Sequence, residues 1–143
     1  MSTSFHTAWA DGSTALTAAG LNPALADLDA AIGSALMMRT VTALADTAVT
    51  LTAAQVLGGI ITAVPSTARS QQLPTAAALI AALSYHPTGT CFEFVVVNTA
   101  AYDETLTTNT GLTLTGNMVV NNASARFLGL VTSGTTVTVY RAA

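Results

Sequence analysis

Residues 90–98 carry the clearest pattern in the chain. Cys91, Phe92, Phe94, Val95, Val96 and Val97 leave both faces of an extended segment largely apolar, interrupted only by Glu93. That is the pattern of a central strand covered on both sides. Shorter β-like runs surround it at 48–51, 59–64, 69–73, 104–108, 112–114, 117–120, 123–132 and 135–141, several of them alternating apolar residues with Thr. Pro65 and Pro74 close two of these runs, and Ser133-Gly134 reads as the two-residue turn of a hairpin. Two short helices fit between them. Thr52 and Gln55 have the spacing of a capping box, with one turn possible before Gly58-Gly59, and Thr75 caps an Ala-rich helix over 76–83. Short strands separated by turn signals predict a mainly β fold. Because most connections are short, the expected architecture is an antiparallel β-sandwich, jelly-roll-like, with short helices. Its core is expected to contain Phe92, Phe94, Val96, Phe127, Val137 and Val139.

The chain reads differently before residue 46. Residues 1–22 sustain no period and hold three large side chains, Phe5, His6 and Trp9, as an irregular arm would. Asn22-Pro23 then opens a helix running to about Met38, with Leu21, Leu25, Leu28, Ile32 and Leu36 on one stripe. Two heptads are too short for an independent coiled coil, so the stripe packs either on its own domain or against sister chains. The predicted organisation is an N-terminal arm and helix over 1–45 and a β-sandwich module over 46–143.

Composition narrows the function. Of 143 residues, 28 are Ala and 25 are Thr, and only 8% are charged, against about 25% in an average soluble domain. There is no Lys. The cations are Arg39, Arg69, Arg126 and Arg141, and the net charge is −3. Four scattered arginines make no basic stripe for nucleic acid. A hydrophobic, weakly charged chain is the reverse of a disordered one. Cys91 is alone, so no disulfide framework exists within the chain. No basic n-region precedes Arg39, so no signal peptide is expected, and the uncharged stretch 47–68 is too broken by polar residues, Gly and Pro to span a membrane. So little charge favours a chain that covers its surface with hydroxyls or buries it against partners.

Candidate chemistry is sparse. His86 and Cys91 lie five residues apart without a nucleophile signature, and Cys91 is expected to pack as a small hydrophobe at the start of a buried strand. Asp103-Glu104 reads as a solvated acidic turn, and Asp27 and Asp29 point to different sides of their helix. No metal or cofactor site is expected. The sequence Leu57-Gly58-Gly59-Ile60 lacks the Lys or third Gly of a phosphate loop. Exposed aromatics for a glycan surface would be Trp9, Tyr85, Tyr102 and Tyr140, which are dispersed. Tyr140 sits opposite the Val137 and Val139 face and suits an interface anchor.

Residues 51–141 as a whole have a family likeness. The run LTAAQVLGGIITAVPSTARSQQLPTAAALIAAL, then CFEFVVVNTA, GLTLTGN and TTVTVYR, resembles a C-terminal module of tailed-phage virion proteins. These include capsid decoration (cement) proteins and some head- or tail-fibre tips. The resemblance implies a homotrimeric β-sandwich on the outer capsid surface, made in the host cytoplasm. It implies a protein that clamps neighbouring major capsid subunits of the HK97-like fold, with no catalysis. Phe5, His6 and Trp9 are then the capsid-contact candidates, and Leu25, Leu28, Ile32 and Tyr140 the trimer-interface candidates. A fibre component and a carbohydrate-binding module are the alternatives.

Overall fold

Among the described residues, nine short strands and two one-to-two-turn helices follow from the pattern of Thr, Gly, Pro and Val that punctuates the sequence. The computed structural model describes residues 39–83 and 86–143. The predicted arm and first helix, with Phe5, His6, Trp9, Leu25, Leu28 and Ile32, lie outside the described residues, as does Tyr85. In order come β1 (Thr40–Ala43), α1 (Ala53–Gly58), β2 (Gly59–Ala63), β3 (Arg69–Gln72), α2 (Ala76–Ala82), β4 (Cys91–Asn98), β5 (Glu104–Thr107), β6 (Leu112–Thr115), β7 (Val119–Val120), β8 (Ala123–Val131) and β9 (Val137–Arg141).

The strands form a six-stranded sheet, ordered β1-β2-β4-β8-β9-β6, and a three-stranded sheet, ordered β3-β5-β7. The protein is therefore mainly β and sandwich-like. The antiparallel, jelly-roll-like arrangement needs correction, because four of the seven strand pairings are parallel: β1–β2, β2–β4, β3–β5 and β6–β9. The physical reason lies in what the short connections join. The turns β2–β3, β4–β5, β5–β6, β6–β7 and β7–β8 each cross from one sheet to the other. Strands that neighbour each other within a sheet are consequently distant in sequence and free to run parallel. Only β8 and β9 form the predicted hairpin, and residues 132–136 connect them rather than a two-residue turn at Ser133-Gly134.

The predicted boundary also moves. The Thr40–Ala43 strand lies within the segment assigned to the arm and helix, yet it pairs with β2 along its whole length. The compact unit accordingly starts at Met38 rather than at 46. Four residues with one large apolar side chain give too little pattern to be read as a strand on their own.

Local chemistry fixes the helices. Thr52 accepts from the Gln55 N–H while Gln55 Oε1 accepts from the Thr52 N–H, so both halves of the capping box are present. Gly59 ends α1 at φ +91°, a left-handed conformation natural to glycine, and starts β2 without a loop. Thr75 caps α2 through the Ala78 N–H at 3.1 Å. Helices of six and seven residues are marginal alone. They hold because Val56, Ala76, Leu79 and Ile80 enter the core between the sheets.

That core contains Phe94, Val96, Phe127, Val137 and Val139, joined by Leu106 and Val120 from the small sheet. Phe94 and Phe127 are direct cross-strand partners whose rings stack at 5.1 Å. Phe92, predicted as core, is only half-buried: its ring lies across Gly129, its partner on β8, at the margin of the cluster.

Candidate interaction surface

Alternation along each strand divides the large sheet into two chemically distinct faces. Every fully buried residue in it is on the inner face, among them Ile61, Phe94, Val96, Phe127, Val131 and Val139. The register arranges the outer face in rows. One row runs Val41, Ile60, Val95, Arg126. The next runs Glu93, Leu128, Tyr140, Thr115. A third runs Cys91, Leu130, Thr138, Thr113. Val97 lies between Thr62 and Ser124 in a fourth. Val41 is 65% exposed and Tyr140 37%, while Ile60, Val95, Val97, Leu128 and Leu130 are half-buried among their neighbours. Apolar groups thus continue across strands β1, β2, β4, β8 and β9.

The charges on this face form one network. Glu93 Oε2 pairs with Arg126 Nε at 2.9 Å, and Glu93 Oε1 with Arg39 Nη2 at 3.4 Å. Arg39 also donates through Nη1 to the Glu93 carbonyl. Exposed pairs of this kind contribute little to stability, about 0–1 kcal/mol. Glu93 and Arg126 lie on the two central strands, in the rows of Leu128 and Val95, so the formal charge of this face is gathered mid-sheet in one compact network of two cations and one anion.

The small sheet turns a different surface outward. Ser70 and Gln72 on β3 and Thr105 and Thr107 on β5 occupy its outer positions. This face is a field of hydroxyls and amides.

Several residues behave otherwise than their sequence suggests. Cys91 is exposed on the outer face rather than packed as a hydrophobe, with its thiol 3.6 Å from the Gly89 carbonyl. It shares the parity of Glu93, Val95 and Val97, so it lies on the face of β4 that the core does not cover. His86 is exposed and bonds only locally among the described residues, Nδ1 donating to the Leu83 carbonyl at 3.2 Å. Tyr102 is 51% exposed in the β4–β5 crossing, apart from Tyr140 on β9. Asp103-Glu104 is not a solvated acidic pair. Asp103 accepts a hydrogen bond from Asn121 at 2.6 Å, while Glu104 begins β5 and is 2% exposed. Alternation on β5 puts Glu104 and Leu106 on the same inward side, which the isolated dipeptide did not reveal.

Polar groups missed in the sequence organise this region. Gln71, fully buried on β3, accepts from the Val49 N–H and donates to the Thr47 carbonyl, both at 2.9 Å. Its amide replaces a strand partner for residues 47–49, where a β-like run was expected and only a bridge at Thr50 forms. Asp46 binds Arg69 Nε at 2.9 Å and the Ser66 N–H at 3.1 Å. These partners, Arg69 above all, hold the Asp46 carboxyl down at about 2. Burial pushes the Glu104 carboxyl upward, against the opposing influence of the Gln71 amide and the Arg69 guanidinium. At the other end of β4, Asn98 donates to the Tyr102 and Val120 carbonyls and accepts from the Ala100 N–H, clasping the crossing between sheets. A buried Asn or Gln before a turn was the available signal, and without strand directions it could not be assigned partners.

Among the described residues, no helix is long and apolar enough to cross a membrane, and no three of His, Cys, Asp or Glu cluster as metal ligands. Compared with protein-family models, with curated proteins and with solved structures, the chain finds no match. The functional reading therefore rests on the surface itself and on the sequence likeness.

Proposed function

We propose that this chain is a structural virion protein: a homotrimeric decoration protein that binds the outside of a capsid and clamps neighbouring major capsid subunits. The observation that carries this reading is the outer face of the six-stranded sheet. It presents Val41, Ile60, Val95, Leu128, Leu130 and Tyr140 in contiguous register and confines its charge to the Glu93 network. Continuous apolar surface of this kind marks association sites. The proposed occupant is a sister copy. Within residues 39–143, four arginines balance four carboxylates, so the net charge of −3 comes from Asp11, Asp27 and Asp29. A second copy, at a net charge of −3, is electrostatically compatible with a face whose fixed charges are two cations and one anion. Tyr140, at the centre of one row, is the anchor residue. A cement needs many modest contacts and no reacting group, which agrees with a surface of this chemistry.

Two experiments test it. Sedimentation equilibrium of the full chain is expected to give a trimer, and Leu128→Asp, at an outward position that leaves the core intact, is expected to give monomers with an unchanged circular dichroism spectrum. A monomeric wild type removes the assembly claim. Densitometry of purified virions against the major capsid band is expected to show a near-stoichiometric ratio. A handful of copies per particle would point to a fibre or vertex component, and absence from the particle would remove the virion reading.

A further inference from the structure

Glu104 is the buried group the assembly reading leaves unused. It sits on β5 between Arg69 of β3 and Val120 of β7 in the register of the small sheet. It is 2% exposed, and its Oε1 has no hydrogen-bond partner among the described residues. A charged carboxylate with an unpartnered oxygen is costly in such a place, whereas a neutral carboxyl is tolerated. The surroundings supply little to hold a negative charge. Arg69 faces it from β3 but is already engaged by Asp46, and the Gln71 amide, which favours the charged form, also serves Thr47 and Val49. On the far side, Arg141 donates to the Asn117 and Val119 carbonyls. Asp103, its chain neighbour, is turned to Asn121. Helices α1 and α2 carry no titratable residue, and the core-facing positions of β4 and β8, Phe92, Phe94, Val96, Asn98, Ala125, Phe127, Gly129 and Val131, carry none either.

We propose that Glu104 is a proton-operated latch on the three-stranded sheet: neutral, it lies packed in the core and the sheet is closed; ionised, it loosens β3 and β5 from the core. The sheet is suited to local release. It has three strands, one of them two residues long, and β5 is joined to β7 through only two register pairs. The β4–β8 ladder at the centre of the large sheet has eight. Because burial raises the Glu104 carboxyl above its ordinary 4.5, the stabilising contribution of the neutral form is complete below that value and is lost as pH climbs through the folded-state value. The latch is thus closed below the ordinary carboxyl range and released as pH rises above it.

The test is amide hydrogen exchange on the full-length chain across pH 4 to 9, corrected for intrinsic rates, in the wild type and in Glu104→Gln. The amides read are those of Leu106, bonded to Met118, and Leu73, bonded to Thr107, against Phe94 and Val96 in β4. The expected result is a wild-type opening constant for the small sheet that grows up to ten-fold per pH unit above the ordinary carboxyl range and then levels. In Glu104→Gln the profile should be flat, with β4 amides unaffected in both proteins. The side-chain carboxyl carbon of Glu104, assigned by its loss in Glu104→Gln, should titrate above the ordinary range. Glu104→Leu, which also removes the charge, should give the same flat profile if the Gln variant folds poorly. A carboxyl carbon titrating at or below the ordinary range, or parallel exchange profiles in wild type and variants, overturns the proposal.

Discussion

Gly129 and Phe92 give the sharpest quantitative test of the packing. They face each other across the β4–β8 ladder, and the Phe92 ring occupies the space a side chain at 129 would need. Gly129 is in an extended strand and has no positive φ, so its backbone accommodates alanine without strain. On backbone grounds alone, Gly129→Ala should stabilise by about 0.5–1 kcal/mol. Against this, a Cβ there coincides with ring carbons, and the ring must swing away and surrender the surface it covers. Overpacking of this sort costs roughly 1–3 kcal/mol, so the net effect should be a loss of up to about 2.5 kcal/mol once the backbone gain is subtracted. In a Phe92→Ala background the obstruction is gone, and Gly129→Ala should now stabilise by about 0.5–1 kcal/mol. Urea unfolding of the four proteins, followed by far-ultraviolet circular dichroism with equal m-values, measures the cycle. The sign reversal is the prediction. If Gly129→Ala moves stability in the same direction in both backgrounds, the ring is not what excludes a side chain at 129.

The remaining predictions concern the core and the polar clasps. Phe94→Ala should cost about 3–5 kcal/mol in chemical denaturation, and a cycle with Phe127→Ala should return a coupling of about 0.5–1.5 kcal/mol from the stacked pair. Gln71→Leu leaves the Val49 N–H and Thr47 carbonyl without their partner, so it should destabilise by about 1–3 kcal/mol despite the gain in apolar volume. Asp46 is held at about 2, below its ordinary 3.8, so its contribution is present above pH 3.8 and lost as pH falls through 2. Asp46→Asn should therefore flatten that acid limb in thermal melts. High salt should do so partly in the wild type, because the pair with Arg69 is partly exposed.

Elements with self-contained signals were legible in the sequence. The Thr52–Gln55 box, the Thr75 cap, the hairpin around Ser133-Gly134 and the apolar run of β4 each declare themselves within a few residues. What could not be read was any property set by which strands become neighbours. The short turn after Asn98 has the composition of a hairpin turn, and whether it reverses within one sheet or crosses to another depends on the sheet that β5 joins. The same ignorance concealed Glu104. Beside Asp103 it looks like half of a solvated turn, and its burial follows only from pairing with Arg69 and Val120. Cys91 was misplaced for a related reason, because the alternation was visible but not which face of β4 the core covers. The outer sheet face was legible in pieces, as Val41, Val95, Leu128 and Tyr140, and became a surface only when the register set them in rows.

The scarcity of charge and the division of faces have a common explanation. Each arginine is already committed: Arg39 and Arg126 to Glu93, Arg69 to Asp46, and Arg141 to the carbonyls of Asn117 and Val119. None is left as a free solubilising cation. Hydration of the small sheet falls instead to Ser70, Gln72, Thr105 and Thr107, neutral groups that bind water without repelling a like neighbour. A free monomer built in this way would have weak electrostatic protection against self-association through the Val41–Ile60–Val95 and Leu128–Tyr140 rows. For a protein that must gather in many copies on one surface the same feature is favourable, because crowded neutral neighbours incur little mutual repulsion. The polar small sheet then suits the solvent side and the apolar large sheet the partner side. Charges placed on the two faces separate these roles. Leu128→Asp should disrupt assembly, whereas Thr105→Asp on the small sheet should leave it intact.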